Sequence, residues 1–176
     1  DVHVLEGVEK QLVNLTINGR QIQAKPGRTI LEVAREQGIE IPTLCYDPAL
    51  RLVGSCRMCI VEIQGWRNQP ASCTTPVAEG MVVFTESPSV VESRRLVLEL
   101  LLANHPQDCL TCEKSGDCQL QDYAYRYGVR GSRFQDGGPY RYEVKDPNPF
   151  IIRDYNKCIM CTKCVRACEE ITGAFA

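Results

Sequence analysis

The chain has 176 residues, a formal net charge of −2 and eleven cysteines. That length suits one or two small domains, and the near-neutral charge leaves no basic footprint for nucleic acid. No apolar run approaches the ~18 residues of a membrane span, and residues 1–30 lack the basic-then-apolar pattern of a secretion signal. The cysteines crowd into C-x2-C groups, whose members are poorly placed to pair across a fold, and an odd count would leave one thiol unpaired. Metal-bound thiolates in a reducing, cytoplasmic setting are therefore expected rather than disulfides.

Residues 1–11 are an acidic lead-in without a clear period, and His3 within it is given no ligand role. Leu12–Ile17 reads as a strand, Asn18-Gly19 as a tight hairpin turn and Arg20–Ala24 as the return strand. Thr29 with Glu32 has capping-box spacing and predicts a helix over Ile30, Leu31, Val33 and Ala34, which Gly38 stops. Hairpin followed by helix is the opening of a β-grasp fold. Ile60–Ile63 and Met81–Thr85 read as later strands of the same sheet. Pro88 and Ser89 start a helix that carries Val90, Val91, Leu96, Val97, Leu100 and Leu101, with the apolar run around Leu96–Leu102 expected to be buried. Gln119–Tyr127 predicts a short helix, whose Tyr123, Tyr125 and Tyr127 are expected to pack with their hydroxyls reaching polar partners. Residues 128–149 are rich in Gly, Pro, Asp and Arg and read as a connecting loop.

Three cysteine groups are laid over these elements. Cys45, Cys56, Cys59 and Cys73 are spaced C-x10-C-x2-C-x13-C. A zinc ribbon offers two C-x2-C pairs, whereas one pair with two singletons is the pattern of a ferredoxin [2Fe–2S] loop. Gly54 and Ser55 would let backbone N–H groups approach the sulfurs. His105, Cys109, Cys112 and Cys118 follow as H-x3-C-x2-C-x5-C, a donor set that on its chemistry alone suits zinc or an iron–sulfur cluster. Cys158, Cys161, Cys164 and Cys168 form C-x2-C-x2-C-x3-C, half of a bacterial ferredoxin, in which the fourth cysteine binds the other cluster.

The hairpin, the helix, Pro-Thr-Leu-Cys45, Gly-Ser-Cys56-Arg-Met-Cys59 and Cys73-Thr-Thr-Pro-Val together resemble the N-terminal iron–sulfur region of the respiratory complex I large iron–sulfur subunit. NAD-linked formate dehydrogenase α subunits, multi-cluster [FeFe]-hydrogenases and the diaphorase small subunit of NAD-reducing hydrogenases share that region. The resemblance runs from about residue 12 onward. It implies an α+β chain in four parts. An N-terminal extension over 1–11 precedes a β-grasp [2Fe–2S] ferredoxin domain over 12–88. A small helical/loop [4Fe–4S] domain over 89–149, with one histidine and three cysteines as ligands, comes next. The start of a bacterial-type two-cluster [4Fe–4S] ferredoxin domain over 150–176 is last. The resemblance assigns Cys45, Cys56, Cys59 and Cys73 to a [2Fe–2S] cluster and His105, Cys109, Cys112 and Cys118 to a [4Fe–4S] cluster. Cys158, Cys161 and Cys164 would bind one further [4Fe–4S] cluster and Cys168 a second, each completed by residues beyond 176, so the sequence reads as part of a longer subunit. Glu169 stands where such a run usually has Pro.

The function implied is single-electron transfer between a flavin or NAD(H) partner and a catalytic centre. No general acid, nucleophile or dinucleotide-binding Gly loop is visible, so no complete catalytic centre is expected here. Cys168 points to a formate dehydrogenase or hydrogenase-type parent, and the stretches Asn148–Cys158 and Cys109–Asp122 most resemble formate dehydrogenase α subunits, which would carry a molybdenum or tungsten bis-pterin site elsewhere. A hydrogenase, a diaphorase or a complex I-type relay is the alternative, and a zinc-stabilised interaction module is the alternative of another class. Diaphorase-type flavin- and NAD-binding subunits in a hetero-oligomer are the partners implied.

Overall fold

The computed structural model describes residues 12–134, 142–143, 150 and 153–175. The lead-in with His3 and much of the connecting loop fall outside them.

A four-stranded mixed sheet forms the first half, in the order β2-β1-β4-β3. Strands β1 (Val13–Ile17) and β2 (Arg20–Ala24) pair antiparallel, with Leu15 opposite Ile22. Their turn has Asn18 at φ 49° and Gly19 at φ 81°. Two successive positive φ angles match the right-handed strand twist, which is why Asn-Gly closes this hairpin. The Asn18 amide also pairs with Thr85: its Nδ2 donates to Oγ1 at 2.7 Å and its Oδ1 accepts the Thr85 N–H at 2.9 Å. The hairpin is thereby tied to the end of β4 (Met81–Phe84), which runs parallel to β1, while β3 (Glu62–Ile63) completes the edge. The expected strand at Ile60–Ile63 is thus shorter, and Ile60 makes an isolated bridge to Ala71 instead.

Helix α1 (Ile30–Glu36) crosses the sheet. Thr29 and Glu32 form the reciprocal capping box, and Gly38 at φ 68° ends the helix. Ile30, Leu31, Val33 and Ala34 bury against Leu15, Ile17, Ile22, Val61 and Val83. Cys59 and Cys73 belong to this same core.

Helix α2 (Pro88–Asn104) begins at Ser87, whose hydroxyl accepts the Val90 N–H at 3.4 Å. Its buried residues are Val90, Arg94 and Leu98. This corrects the expected apolar face: Leu96 and Leu100 are exposed, while Val97, Leu101 and Leu102 pack only partly. Helix α3 (Gln119–Arg126) lies beside α2. A second core joins Leu98, Leu120, Tyr127 and Val129 to Leu44 and Met58 from the first half, with Cys56 and Cys118 packed at its margin. The segment 44–59 is therefore the seam between the two cores. The last described segment contains helix α4 (Lys163–Ala167) followed by a wider π-type turn over Cys168–Thr172.

Candidate iron–sulfur centres

All eleven cysteines are free thiols, so no disulfide competes for them. Cys45, Cys59 and Cys73 are buried and Cys56 is partly so. Two features bring this set together. Ser72 donates its N–H to the Cys59 carbonyl at 3.0 Å and Val61 donates to Pro70 at 3.1 Å, which ties Cys59 to the Cys73 segment. The first N–H groups of α1 hold the other side of that segment: Ile30 donates to Thr75 O at 2.9 Å and Leu31 to Ser72 O at 3.1 Å. Free N–H groups at a helix start thus pin the loop that carries Cys73.

Main-chain hydrogen bonds tie the four cysteines two by two: the Cys56 N–H links Cys56 to Cys45, and the Ser72 N–H links the Cys73 segment to Cys59. The neighbouring Cys45 thiol lowers Cys56 to about 5, and the Cys73 thiol lowers Cys59 to about 7. Cys45 and Cys73 move the other way, raised by the Cys56 and Cys59 thiols beside them and by burial. Main-chain donors add to this: the Leu44 N–H reaches Cys56 Sγ at 3.4 Å, and the Cys56 N–H reaches Cys45 Sγ at 3.4 Å. Gly54 makes the turn possible, at φ 61°, and a Cβ there would meet Thr74 Cγ2 at 3.3 Å. Among the described residues no three Cys, His, Asp or Glu side chains converge as they would on one ion. Cysteines tied two by two, with N–H groups aimed at sulfur, are the ligand types a dinuclear iron–sulfur centre takes, two thiolates at each metal.

His105 follows the last residue of α2. Its Nδ1 lies 2.8 Å from the Pro106 carbonyl, which can only accept, so Nδ1 carries the proton and Nε2 keeps its lone pair. That is the tautomer of a metal-ligating histidine. His105, Cys109 and Cys118 stand in the wall of one cavity of about 610 Å³, together with Leu102, Leu120 and Val129. Cys112 is outside that wall, and Lys157 Nζ approaches its sulfur at 3.7 Å while also meeting Asp108 at 3.4 Å. Three soft or borderline donors in one wall are the ligand types of an iron–sulfur cluster.

The third run is more open. Cys158 and Cys164 are exposed, and Cys161 and Cys168 are half-buried. Met160 at φ 54° and Thr162 at φ 58° both take left-handed backbone, which curls the loop so that the Met160 N–H reaches Cys158 Sγ at 3.4 Å. Such alternation concentrates N–H groups on one side, the arrangement that receives sulfur or other anions.

Several residues around these sites escape a reading of cysteine spacing. Arg94 is fully buried and donates to Met58 O at 3.0 Å, Ile60 O at 2.8 Å, Tyr127 Oη at 2.8 Å and Glu86 at 2.7 Å. It thus holds both carbonyls that flank Cys59. Its position at the i+4 step between Val90 and Leu98 is a visible signal, an arginine in the middle of an apolar stripe. Tyr123 Oη accepts the Thr43 N–H at 3.2 Å and Tyr127 Oη donates to Glu86 at 3.2 Å, whereas Tyr125 is exposed, against expectation. Arg166, between Cys164 and Cys168, is also buried.

The chain matches a 2Fe–2S iron–sulfur cluster binding domain over residues 10–88. It next matches the NADH-ubiquinone oxidoreductase-G iron–sulfur binding region over 94–133. It is therefore an iron–sulfur protein with a ferredoxin-like domain followed by a second iron–sulfur binding region. Among curated relatives, the mitochondrial NADH-ubiquinone oxidoreductase 78 kDa subunit of Neurospora crassa is 43% identical over 92% of this chain and 22% of its own length. The NADP-reducing hydrogenase subunit HndD of Solidesulfovibrio fructosivorans is 47% identical over 91% of this chain and 28% of its own. This chain thus spans between a fifth and a third of those relatives. A solved chain of an NAD+-reducing [NiFe]-hydrogenase in the H2-reduced state superposes with a TM-score of 0.81 at 40% identity, covering 89% of this chain and 65% of that one. Among the described residues no helix is long and apolar enough to cross a membrane.

Proposed function

We propose that this chain is a cytoplasmic electron relay within a multi-subunit oxidoreductase, of the NADH-quinone oxidoreductase or NAD(P)-linked hydrogenase kind. Cys45, Cys56, Cys59 and Cys73 ligate a [2Fe–2S] cluster, and His105, Cys109, Cys112 and Cys118 a [4Fe–4S] cluster. Cys158, Cys161 and Cys164 serve a further [4Fe–4S] cluster, and Cys168 a second one of the ferredoxin type. The observation that carries this reading is the gathering of four largely buried cysteines with main-chain N–H groups aimed at sulfur, Leu44 N–H at Cys56 Sγ and Cys56 N–H at Cys45 Sγ, each at 3.4 Å. When bound, the clusters supply one-electron redox chemistry. The chain's own residues place the sulfurs, aim N–H groups at them, exclude water behind Met58 and Leu98, and hold His105 in the tautomer that leaves Nε2 free. Its electron partners would be flavin- and NAD-binding diaphorase-type subunits.

A formate dehydrogenase parent is the second reading. It is favoured by the likeness of the stretches Asn148–Cys158 and Cys109–Asp122 to formate dehydrogenase α subunits, while the two-cluster run Cys158–Cys168 favours it and the hydrogenase kind alike over a complex I-type parent. Metal analysis of the native subunit tests both. Iron with acid-labile sulfide supports the relay, and iron with stoichiometric molybdenum or tungsten selects formate dehydrogenase. Iron without either selects the hydrogenase or NADH-quinone oxidoreductase kind. A colourless, active protein with stoichiometric zinc and no iron would remove the relay altogether.

A further inference from the structure

Arg166 is only 4% exposed, though it sits in the most open of the three cysteine runs. A buried guanidinium is tolerated only when its N–H groups are satisfied. Here Nε donates to Thr162 Oγ1 at 3.2 Å and Nη1 to the Arg51 carbonyl, while Nη2 donates to the Cys45 carbonyl at 2.6 Å and the Cys161 carbonyl at 3.4 Å. One nitrogen therefore spans two cysteines that lie in different candidate centres. All four acceptors are neutral. Glu170 feels the Arg166 charge but is bonded to Arg51 through the Arg51 N–H at 2.7 Å and Nε at 3.0 Å. Glu169 joins the same surface ion pair at 3.3 Å. Two layers thus close this junction: an exposed Arg51–Glu169–Glu170 latch, and beneath it a buried cation between Cys45 and Cys161.

We propose that Arg166 is a positioning residue that couples the Cys45–Cys73 centre to the Cys158–Cys164 centre through its shared hydrogen bonds to the Cys45 and Cys161 carbonyls. The inference rests on the relay reading. The fixed positive charge favours the reduced form of both centres, because each gains one negative charge on reduction. The shared Nη2 joins the two cysteine main chains through one nitrogen. In the transfer itself one centre loses one electron and the other gains it. Arg166 takes up neither electron nor proton, since a guanidinium holds its charge throughout.

The test uses the full-length subunit purified without oxygen, as wild type, Arg166→Gln, Arg166→Lys and Arg51→Ala. It measures iron content and follows the EPR signals of each centre through a potentiometric titration. With Arg166→Gln, iron content holds and both centres become harder to reduce. Their reduced fraction at fixed potential falls about tenfold, equal to ~59 mV for a one-electron couple, and the His105 centre keeps its potential. Arg166→Lys restores the potentials but not the spin–spin interaction between the two centres, because an ammonium cannot reproduce the planar fork. Arg51→Ala leaves both potentials in place. Unchanged potentials in Arg166→Gln at full iron content, or equal shifts in Arg51→Ala, overturn the proposal. If Arg166→Gln fails to load iron, Arg166→Lys decides: lost spin–spin interaction supports the coupling and unchanged interaction refutes it. Absence of iron from the wild-type subunit would instead refute the relay reading itself.

Discussion

Replacing Arg94 with Met tests whether the second half of the molecule holds the Cys56–Cys59 loop in place. Arg94 is fully buried and gives four hydrogen bonds, two of them to the Met58 and Ile60 carbonyls on either side of Cys59. Met fills much of the volume but donates nothing. Each carbonyl left unsatisfied costs about 1–2 kcal/mol. The Glu86 carboxylate is 39% exposed and still meets Arg126 at 3.4 Å, so losing its bond to Arg94 adds only about 1 kcal/mol. The total is about 3–5 kcal/mol, the usual cost of removing one partner from a buried charged network. That is a large share of the ~5–15 kcal/mol by which a domain is stable. Cluster release makes unfolding irreversible, so the assay is the rate at which visible absorption bleaches in guanidinium chloride. At ~1.4 kcal/mol per tenfold, bleaching of the [2Fe–2S] signal should accelerate at least tenfold. Tyr127→Phe should accelerate it less, and the double variant should fall short of the sum, because both remove the same bond. Bleaching of Arg94→Met within twofold of wild type would refute the argument that these carbonyls depend on Arg94.

Gly54→Ala places a Cβ at φ 61° and 3.3 Å from Thr74 Cγ2. It should cost about 1–2 kcal/mol through the left-handed backbone alone and speed loss of the [2Fe–2S] absorption while sparing the other centres. His105→Cys exchanges a neutral imidazole for a thiolate, so that centre should load iron and titrate at a lower potential than with His105; a higher potential would contradict the electrostatic account. Acid should open two surface ties. The carboxyl of Glu79 is held below its usual range by the Asn14 N–H, and that of Glu170 by the Arg51 N–H. Their folded values lie below the unfolded value of ~4.3, so their contribution is complete above that pH and disappears as pH falls through the lower folded values. Hydrogen-exchange protection of the Asn14 and Arg51 amides should therefore be constant between about pH 6 and 8 and drop below about pH 4. Protection lost already near neutrality would exclude these carboxylates as the cause.

Much of the fold is readable locally. Asn18-Gly19 supplies two positive φ angles, Thr29 and Glu32 cap each other three residues apart, and Gly38 accepts the left-handed stop. Each is a bond or torsion between neighbours, so spacing along the chain is sufficient to find it. The donor types of the cysteine groups are also local, because C-x2-C sets two thiols on one short loop wherever that loop lies. Helix α2 is less legible. Its apolar residues outnumber the sites available in the core, and Leu96 and Leu100 remain exposed while Arg94 takes the central buried position. Periodicity weighs hydrophobicity. It does not register that Met58 and Ile60 present carbonyls which only a donor can satisfy.

Elements, caps and the donor types gathered at each cysteine group follow from the order of residues alone, since these depend on neighbours a few positions apart. Three things wait for the folded chain: which cysteines the main chain ties together, that segment 44–59 is the seam between two cores, and that Arg94 and Arg166 lie buried against its carbonyls. For the arginines the reason is plain. A main-chain carbonyl has the same chemistry at every position in the chain, so which one needs a distant guanidinium is set when packing removes its water.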